Sequence, residues 1–246
     1  SLAFNDDQKR WVTASGRDCD IPWPVWLRAP RAEAATAVLN CVARDVDGQP
    51  LIDVSSYLWH EWAPDSWNQA WPVNPDPDLP SPNSFELYRD HWVNYRIEDT
   101  NGVYFDSVVV GDFIGGWQSF VPEHLRAADF PPGFSREHGV PVVIGLQPMM
   151  EFFDTIVPEI HSQGRLVMMN LFTNGSRFFA HRADLMGSEI SHLVEREELN
   201  EIRRTLAGQK VVSNLLQHNW NGPYATYDEM ERFITGHMYW GFYPGV

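Results

Sequence analysis

The chain has 246 residues, 43% of them hydrophobic, enough to fill the core of one large domain or two small ones. A net charge of -15 with no Lys/Arg-rich run excludes the clustered positive field that nucleic-acid phosphates require. No apolar run approaches the roughly 18 residues of a membrane-spanning helix, and a neutral ligand such as a sugar remains compatible with the acidity.

Residues 1–50 are expected to lead into the fold. They start at Ser1 without a signal segment, as a mature or excised portion of a longer protein would. Prolines make Asp20-Ile-Pro-Trp-Pro-Val-Trp26 irregular, and residues 32–43 have helical composition. Cys19 and Cys41 form no CxxC pair, so a zinc ribbon or redox motif is unsupported; one disulfide and two buried thiols both stay open. Residues 51–59 are β-rich and predict a strand that ends in the polar and aromatic cluster Trp59, His60, Glu61 and Trp62. The proline-rich residues 63–83 predict a long loop. Six of the eleven tryptophans fall between residues 23 and 71, where core packing and stacking on sugar rings are both open.

Ser84 is expected to cap a helix over residues 85–98, in which Phe85, Tyr88, Trp92 and Tyr95 recur at helical spacing. An Asn-Gly turn then opens Asn101-Gly-Val-Tyr-Phe-Asp-Ser-Val108, an apolar strand that delivers Asp106 at its far end. Residues 109–147, rich in Gly, Pro and Phe, predict a long loop with one short helix near residues 122–128. Beyond it the alternation is regular. A helix over residues 149–161 stops at Gly164, and a strand over residues 165–172 carries Asn170. A short helix over residues 176–181 precedes a strand over residues 183–190 that carries Glu189. A charged helix over residues 195–206 closes at Gly208, and a strand over residues 210–216 leads to Gln217 and His218. A last helix spans residues 227–238, and a new element is expected to begin at Tyr243. Apolar strands alternating with amphipathic helices predict an α/β fold built on a parallel sheet of βαβ units. Polar residues at the carboxyl ends of the strands favour a barrel, and the absence of GxGxxG or GxxxxGK[ST] disfavours a nucleotide-binding sheet.

Two carboxylates on two strand ends are the minimum apparatus for glycoside hydrolysis. Asp106 would attack the anomeric carbon, and Glu189 would protonate the leaving oxygen. Each has a plainer explanation, Asp106 as a turn cap and Glu189 as an acid at the N-terminus of the next helix. Asn170 would donate to a sugar hydroxyl or tie down the turn at residues 173–175. His60, Glu61, Trp59, Trp62, Tyr104, Gln217 and His218 complete the candidate substrate-binding set. No HExxH or second His/Asp pair accompanies His60 and Glu61, so no metal ion or other cofactor is called for, and Ser107 lacks the GxSxG elbow of a nucleophilic serine.

Gly102-Val-Tyr104-Phe-Asp106 resembles the G-x-Y-x-D fourth strand of retaining α-glycosidase-like TIM barrels. Asn170 followed by Ala183-Asp-Leu-Met-Gly-Ser-Glu189 resembles their fifth and sixth strands. Tyr239-Trp-Gly-Phe-Tyr-Pro-Gly245 is similar to the helix and turn that lead to their last strand. The resemblance covers residues 50–246 and departs from α-galactosidase-type barrels at two places. Tyr104 stands where they carry the Lys of Lys-x-Asp, and Glu189 where their acid is usually Asp. It implies a (β/α)8 TIM-barrel fold, incomplete at one or both ends, with residues 51–246 as the barrel region of a single domain. It also implies a bacterial retaining glycosidase that acts on an oligo- or polysaccharide, outside the cell or in the periplasm. The apolar surfaces of an incomplete barrel call for the remainder of a longer chain or a second copy. Two other functions stay open: a catalytically silent carbohydrate-binding barrel, and a metal-dependent hydrolase using His60, Glu61 and His218.

Overall fold

The computed structural model describes residues 2–5, 10–13, 31–51, 53–54, 69–70, 72–95, 100–105, 117–170, 178–189, 197–215 and 226–245. In chain order the first elements are β1 (Leu2–Asn5), β2 (Arg10–Thr13), α1 (Arg31–Cys41), β3 (Asp53–Val54), β4 (Gln69–Ala70) and α2 (Ser84–Arg89). Next come β5 (Gly102–Phe105), β6 (Gln118–Ser119), α3 (Pro122–Ala127), β7 (Gly133–Ser135), β8 (Val140–Ile144) and α4 (Leu146–Ser162). The last are β9 (Leu166–Asn170), β10 (Leu185–Glu189), α5 (Glu197–Ala207), β11 (Val211–Leu215), α6 (Tyr227–Trp240) and β12 (Tyr243–Gly245). They divide between two compact units, one of Ser1–Asp99 with Asp112–Ile156 and one of Thr100–Gly111 with Val157–Val246.

In the first unit, α1 buries Ala34, Ala35 and Ala37, side chains small enough to let a neighbour approach its backbone closely. The Phe152 ring on α4 meets Phe85, Tyr88 and Phe153 edge-on, with centroids 5.8, 5.7 and 5.0 Å away. Such T-shaped pairs suit the ring quadrupoles and add to the burial of apolar area. A second cluster gathers Ala43, Trp117 and Val143.

Sequence reading and structure part company at four places here. The cap of α2 is Asn83 and not Ser84, because Asn83 is extended at φ -129° and its side chain accepts from the Glu86 amide. Glu86 reciprocates to the Asn83 amide, which closes a capping box. The helix itself ends at Arg89, and a π-helical turn carries the chain on through Asp90–Tyr95. The stretch expected as a long loop holds a three-stranded antiparallel sheet, β6-β8-β7, in addition to α3. Its hairpin closes where Gly139, at φ +68°, donates to Ser135 O. Of the strand expected over residues 51–59, the described part is Leu51 and β3, and β3 pairs antiparallel with β4, outside the parallel sheet, while residues 52 and 55–59 lie outside the described ones.

Asn83 also donates through Nδ2 to Leu79 O at 2.7 Å and is buried, so its removal orphans several polar groups at once. Asn83→Ala is expected to destabilise the first unit by about 2 kcal/mol, the upper part of the range for a lost helix cap, as read by urea unfolding.

The second unit is a five-stranded sheet in the order β12-β11-β10-β9-β5, with every pairing parallel. The α/β expectation therefore holds, and the element foreseen at Tyr243 is its fifth strand. Strand order follows chain order without a reversal. Since parallel crossovers are right-handed, such an order keeps the connecting helices on one face. One face of the sheet buries Val103 and Phe105 of β5, Val167 and Met169 of β9, Met186 of β10 and Val212 of β11. The other face is more open: Tyr104 is 37% exposed and Tyr243 64%. The short helix expected over residues 176–181 is a single 3-10 turn at Phe178 and Phe179, with residues 176–177 outside the described ones.

Gly164 and Gly208 end two of the helices as the sequence signalled, and a third glycine end bears directly on the sheet. Gly241 takes φ +67°, a conformation open to a residue without Cβ, and Phe242 N donates back to His237 O. The chain thus reverses from α6 into β12 within two residues.

Candidate active site

Parallel register decides which side chains share a face, because partners across a parallel ladder project to the same side and alternate along each strand. Tyr104 pairs with Met168, Met168 with Leu185, and Leu185 with Val211. Two residues further, Asn170 is level with Gly187, and Gly187 with Ser213. Two more reach Glu189, level with Leu215. The open face therefore carries Tyr104 and Asn170 on neighbouring strands, and Glu189 closes β10 at the same carboxyl edge as Asn170. Strand-end positions of this kind are where parallel α/β sheets assemble their sites. Gly187 keeps the row close-packed: a Cβ there would come within 2.9 Å of Met168 Cε and 3.1 Å of Met169 O.

At the amino ends of the same strands the polar groups hold the sheet together. Asp184 Oδ2 accepts from Val167 N at 2.7 Å and from His161 Nε2 at 2.7 Å, while Asp184 N donates to Val167 O at 2.8 Å. Lys210 Nζ donates to Ala180 O and His181 O at the entrance to β11. The strand β10 thus has an acid near each end. Asp184 is occupied in fastening β9 and β10, which leaves Glu189 as its acid at the carboxyl edge.

Of the residues singled out from the sequence, Tyr104 and Asn170 lie on the open face of β5 and β9, and Glu189 is the last residue of β10. Asn170 is buried. Asp106 follows Phe105, the last residue of β5, and lies outside the described residues, as do Trp59, His60, Glu61, Trp62, Gln217, His218 and Cys19. Cys41 is a free buried thiol whose Sγ accepts from Ser84 N at 3.1 Å, and burial pushes its pKa up. Among the described residues no group of three or more His, Cys, Asp or Glu side chains is placed to hold a metal ion. No helix among them is long and apolar enough to cross a membrane.

Two polar pairs in the first unit escaped the sequence reading. Ser119 Oγ lies 2.8 Å from His124 Nδ1, the contact of a nucleophile and its base. Both residues are fully buried, however, and His124 Nε2 lies 3.2 Å from Asn40 O, so Nε2 carries the proton and Nδ1 accepts from the serine. Burial holds the His124 pKa below the usual histidine range. The pair therefore ties α1 to α3 and has no route to substrate. The second pair, Asp76 and Glu151, joins two buried carboxyl groups. Its one sequence signal is an acid in the apolar run Met149-Met-Glu-Phe-Phe153.

Comparison of the chain with protein-family models, with curated proteins and with solved structures returns no match.

Proposed function

We propose that the chain is a glycoside hydrolase of the (β/α)-barrel type, with Asp106 as nucleophile and Glu189 as acid/base. The observation that carries the proposal is the gathering of strand ends on one open face of the parallel sheet. Glu189 ends β10, the strand paired with the one that carries Asn170, and β5 on the other side of that strand leads directly into Asp106. Strand order adds support. A barrel winds in one direction, whereas a doubly wound sheet reverses its order at a switch point, and these five strands do not reverse. The open face would then be the barrel interior.

The chemistry follows from the two acids. The carboxylate of Asp106 attacks the anomeric carbon, the bond to the leaving oxygen breaks, and Glu189 gives that oxygen a proton. In the second half Glu189 takes a proton from water, which displaces Asp106 from the sugar. The strands β5 and β10 stand two apart, roughly 10 Å at the usual spacing of about 4.8 Å per strand. Side chains leaning inward across β9 can close that gap to the about 5–5.5 Å of a retaining pair. Tyr104 would offer a flat face beside the nucleophile, and Asn170 an amide to a hydroxyl next to the scissile bond.

A panel of aryl α- and β-glycosides tests the proposal, with the first-formed anomer followed by NMR. Hydrolysis with retention is expected. Binding of a glycan without hydrolysis would leave a silent carbohydrate-binding barrel, and hydrolysis that stops on chelation would point to a metal-dependent enzyme instead.

A further inference from the structure

Among the described residues of the first unit, Asp76 and Glu151 are the most deeply placed acids: Asp76 is 0% exposed and Glu151 6%. Asp76 Oδ1 accepts from the amide of Asp78 at 2.8 Å. Glu151 Oε1 accepts from the amides of Asp129 and Phe130 at 2.7 and 3.2 Å. Asp76 Oδ2 is buried with no N–H or O–H of another residue donating to it, and the carboxyl groups of Asp76 and Glu151 lie within hydrogen-bonding reach of one another. Two carboxylates only repel one another. A carboxylic acid and a carboxylate form a strong hydrogen bond, so a single proton converts the contact from repulsive to attractive.

Among the described residues, the charges that act most strongly on the pair are all negative. The charged neighbours acting on Asp76 are Asp78 in its own turn and Asp129 in the segment before β7. The thiol of Cys41 on α1 faces Asp76 and Glu86. Every one of these groups is acidic. Burial first, then the bond and the charge of Asp76, hold Glu151 up at about 8.

We propose that Asp76 and Glu151 form a one-proton latch. It clamps the turn at residues 74–78 to residues 129–130 and α4 while the proton is held, and it opens when alkaline solution removes the proton. Glu151 is the hub, since one oxygen holds two backbone amides and the carboxyl reaches Asp76.

The sign of the stability change follows from proton counts. The native pair keeps a proton that the unfolded chain releases near the ordinary glutamate value, about 4.3. The latch therefore contributes fully below about pH 4.3, and its contribution falls as pH rises toward 8. Across that window the folding equilibrium constant of the first unit is expected to drop by up to tenfold per pH unit.

Hydrogen exchange on the full chain between pH 5 and 9, corrected for the intrinsic rate, reads the latch at the amides of Asp78, Asp129 and Phe130. Their protection is expected to fall by tenfold or more from pH 6 to 9 in the unaltered chain. In Glu151→Gln it is expected to stay level, because the amide donates to Asp76 at every pH while its oxygen still accepts from Asp129 and Phe130. Asp76→Asn reads the same bond from the other side and serves if Glu151→Gln does not fold. Equal pH dependence in the unaltered chain and both variants would overturn the latch. So would full protection at pH 9 on addition of calcium, which would mean that a cation and not a proton joins the acids.

Discussion

Glu189→Gln is expected to lower turnover of alkyl glycosides by about 10²–10⁴-fold, the usual contribution of a positioned general acid. Aryl glycosides with good leaving groups should lose far less in the first half-reaction, since a leaving phenolate needs little protonation. An added small anion such as azide should then restore turnover, because it attacks the glycosyl-enzyme without a general base. Asp106→Asn should behave differently and remove turnover on every substrate, since no covalent intermediate can form without the carboxylate. The two variants are therefore distinguishable by leaving-group dependence and azide rescue, and not by a loss of activity alone. Circular dichroism and thermal unfolding should leave both close to the parent. Full activity in both would remove the catalytic pair. Loss in Asp106→Asn with no leaving-group effect in Glu189→Gln would keep the nucleophile and require another acid.

The parallel half of the molecule was legible in the sequence because its signals are local. Gly164 and Gly208 stop α4 and α5 at φ +73° and +58°, and the apolar runs between them are single strands buried on one face. The placing of Tyr104 and Asn170 on one face, and of Glu189 at the end of its strand, needed only period-two alternation and a common strand direction. The antiparallel half was not legible in the same way. β6, at two residues, and β7, at three, are too short to show a period, and their pairing with β8 is set by tertiary packing. The choice between Asn83 and Ser84 as a cap turned on which residue leaves helical φ/ψ, and adjacent capping residues do not reveal that. Asp76 and Glu151 are 75 positions apart, so only the acid amid apolar helix residues could have marked one of them.

Gly102→Ala probes whether β5 holds the nucleophile's strand in register. A Cβ on Gly102 would stand 2.5 Å from Leu166 O and 3.2 Å from Leu166 C, both backbone atoms that cannot rotate aside. At Gly187 the nearest atom, Met168 Cε, is the end of a flexible side chain, so Gly187→Ala is the milder comparison. The added methyl on Gly102 must push β5 away from β9 at the point where Leu166 N donates to Asn101 O at 3.1 Å. A cost of about 1–3 kcal/mol is expected, the range for overpacking a well-packed site, read by urea unfolding. The consequence for catalysis should be larger than the loss of stability implies. The displaced residue is four positions ahead of Asp106, and a misplacement of about 1 Å at a reacting group can cost on the order of 10²-fold. Turnover of aryl glycosides at a temperature where the variant is fully folded separates the two effects. Lower stability with a matching fall in kcat ties the chemistry to the β5–β9 ladder. Lower stability with unchanged kcat would mean that the reacting carboxylate is not carried by β5, and Asp106 would lose its place as nucleophile while the sheet kept its register.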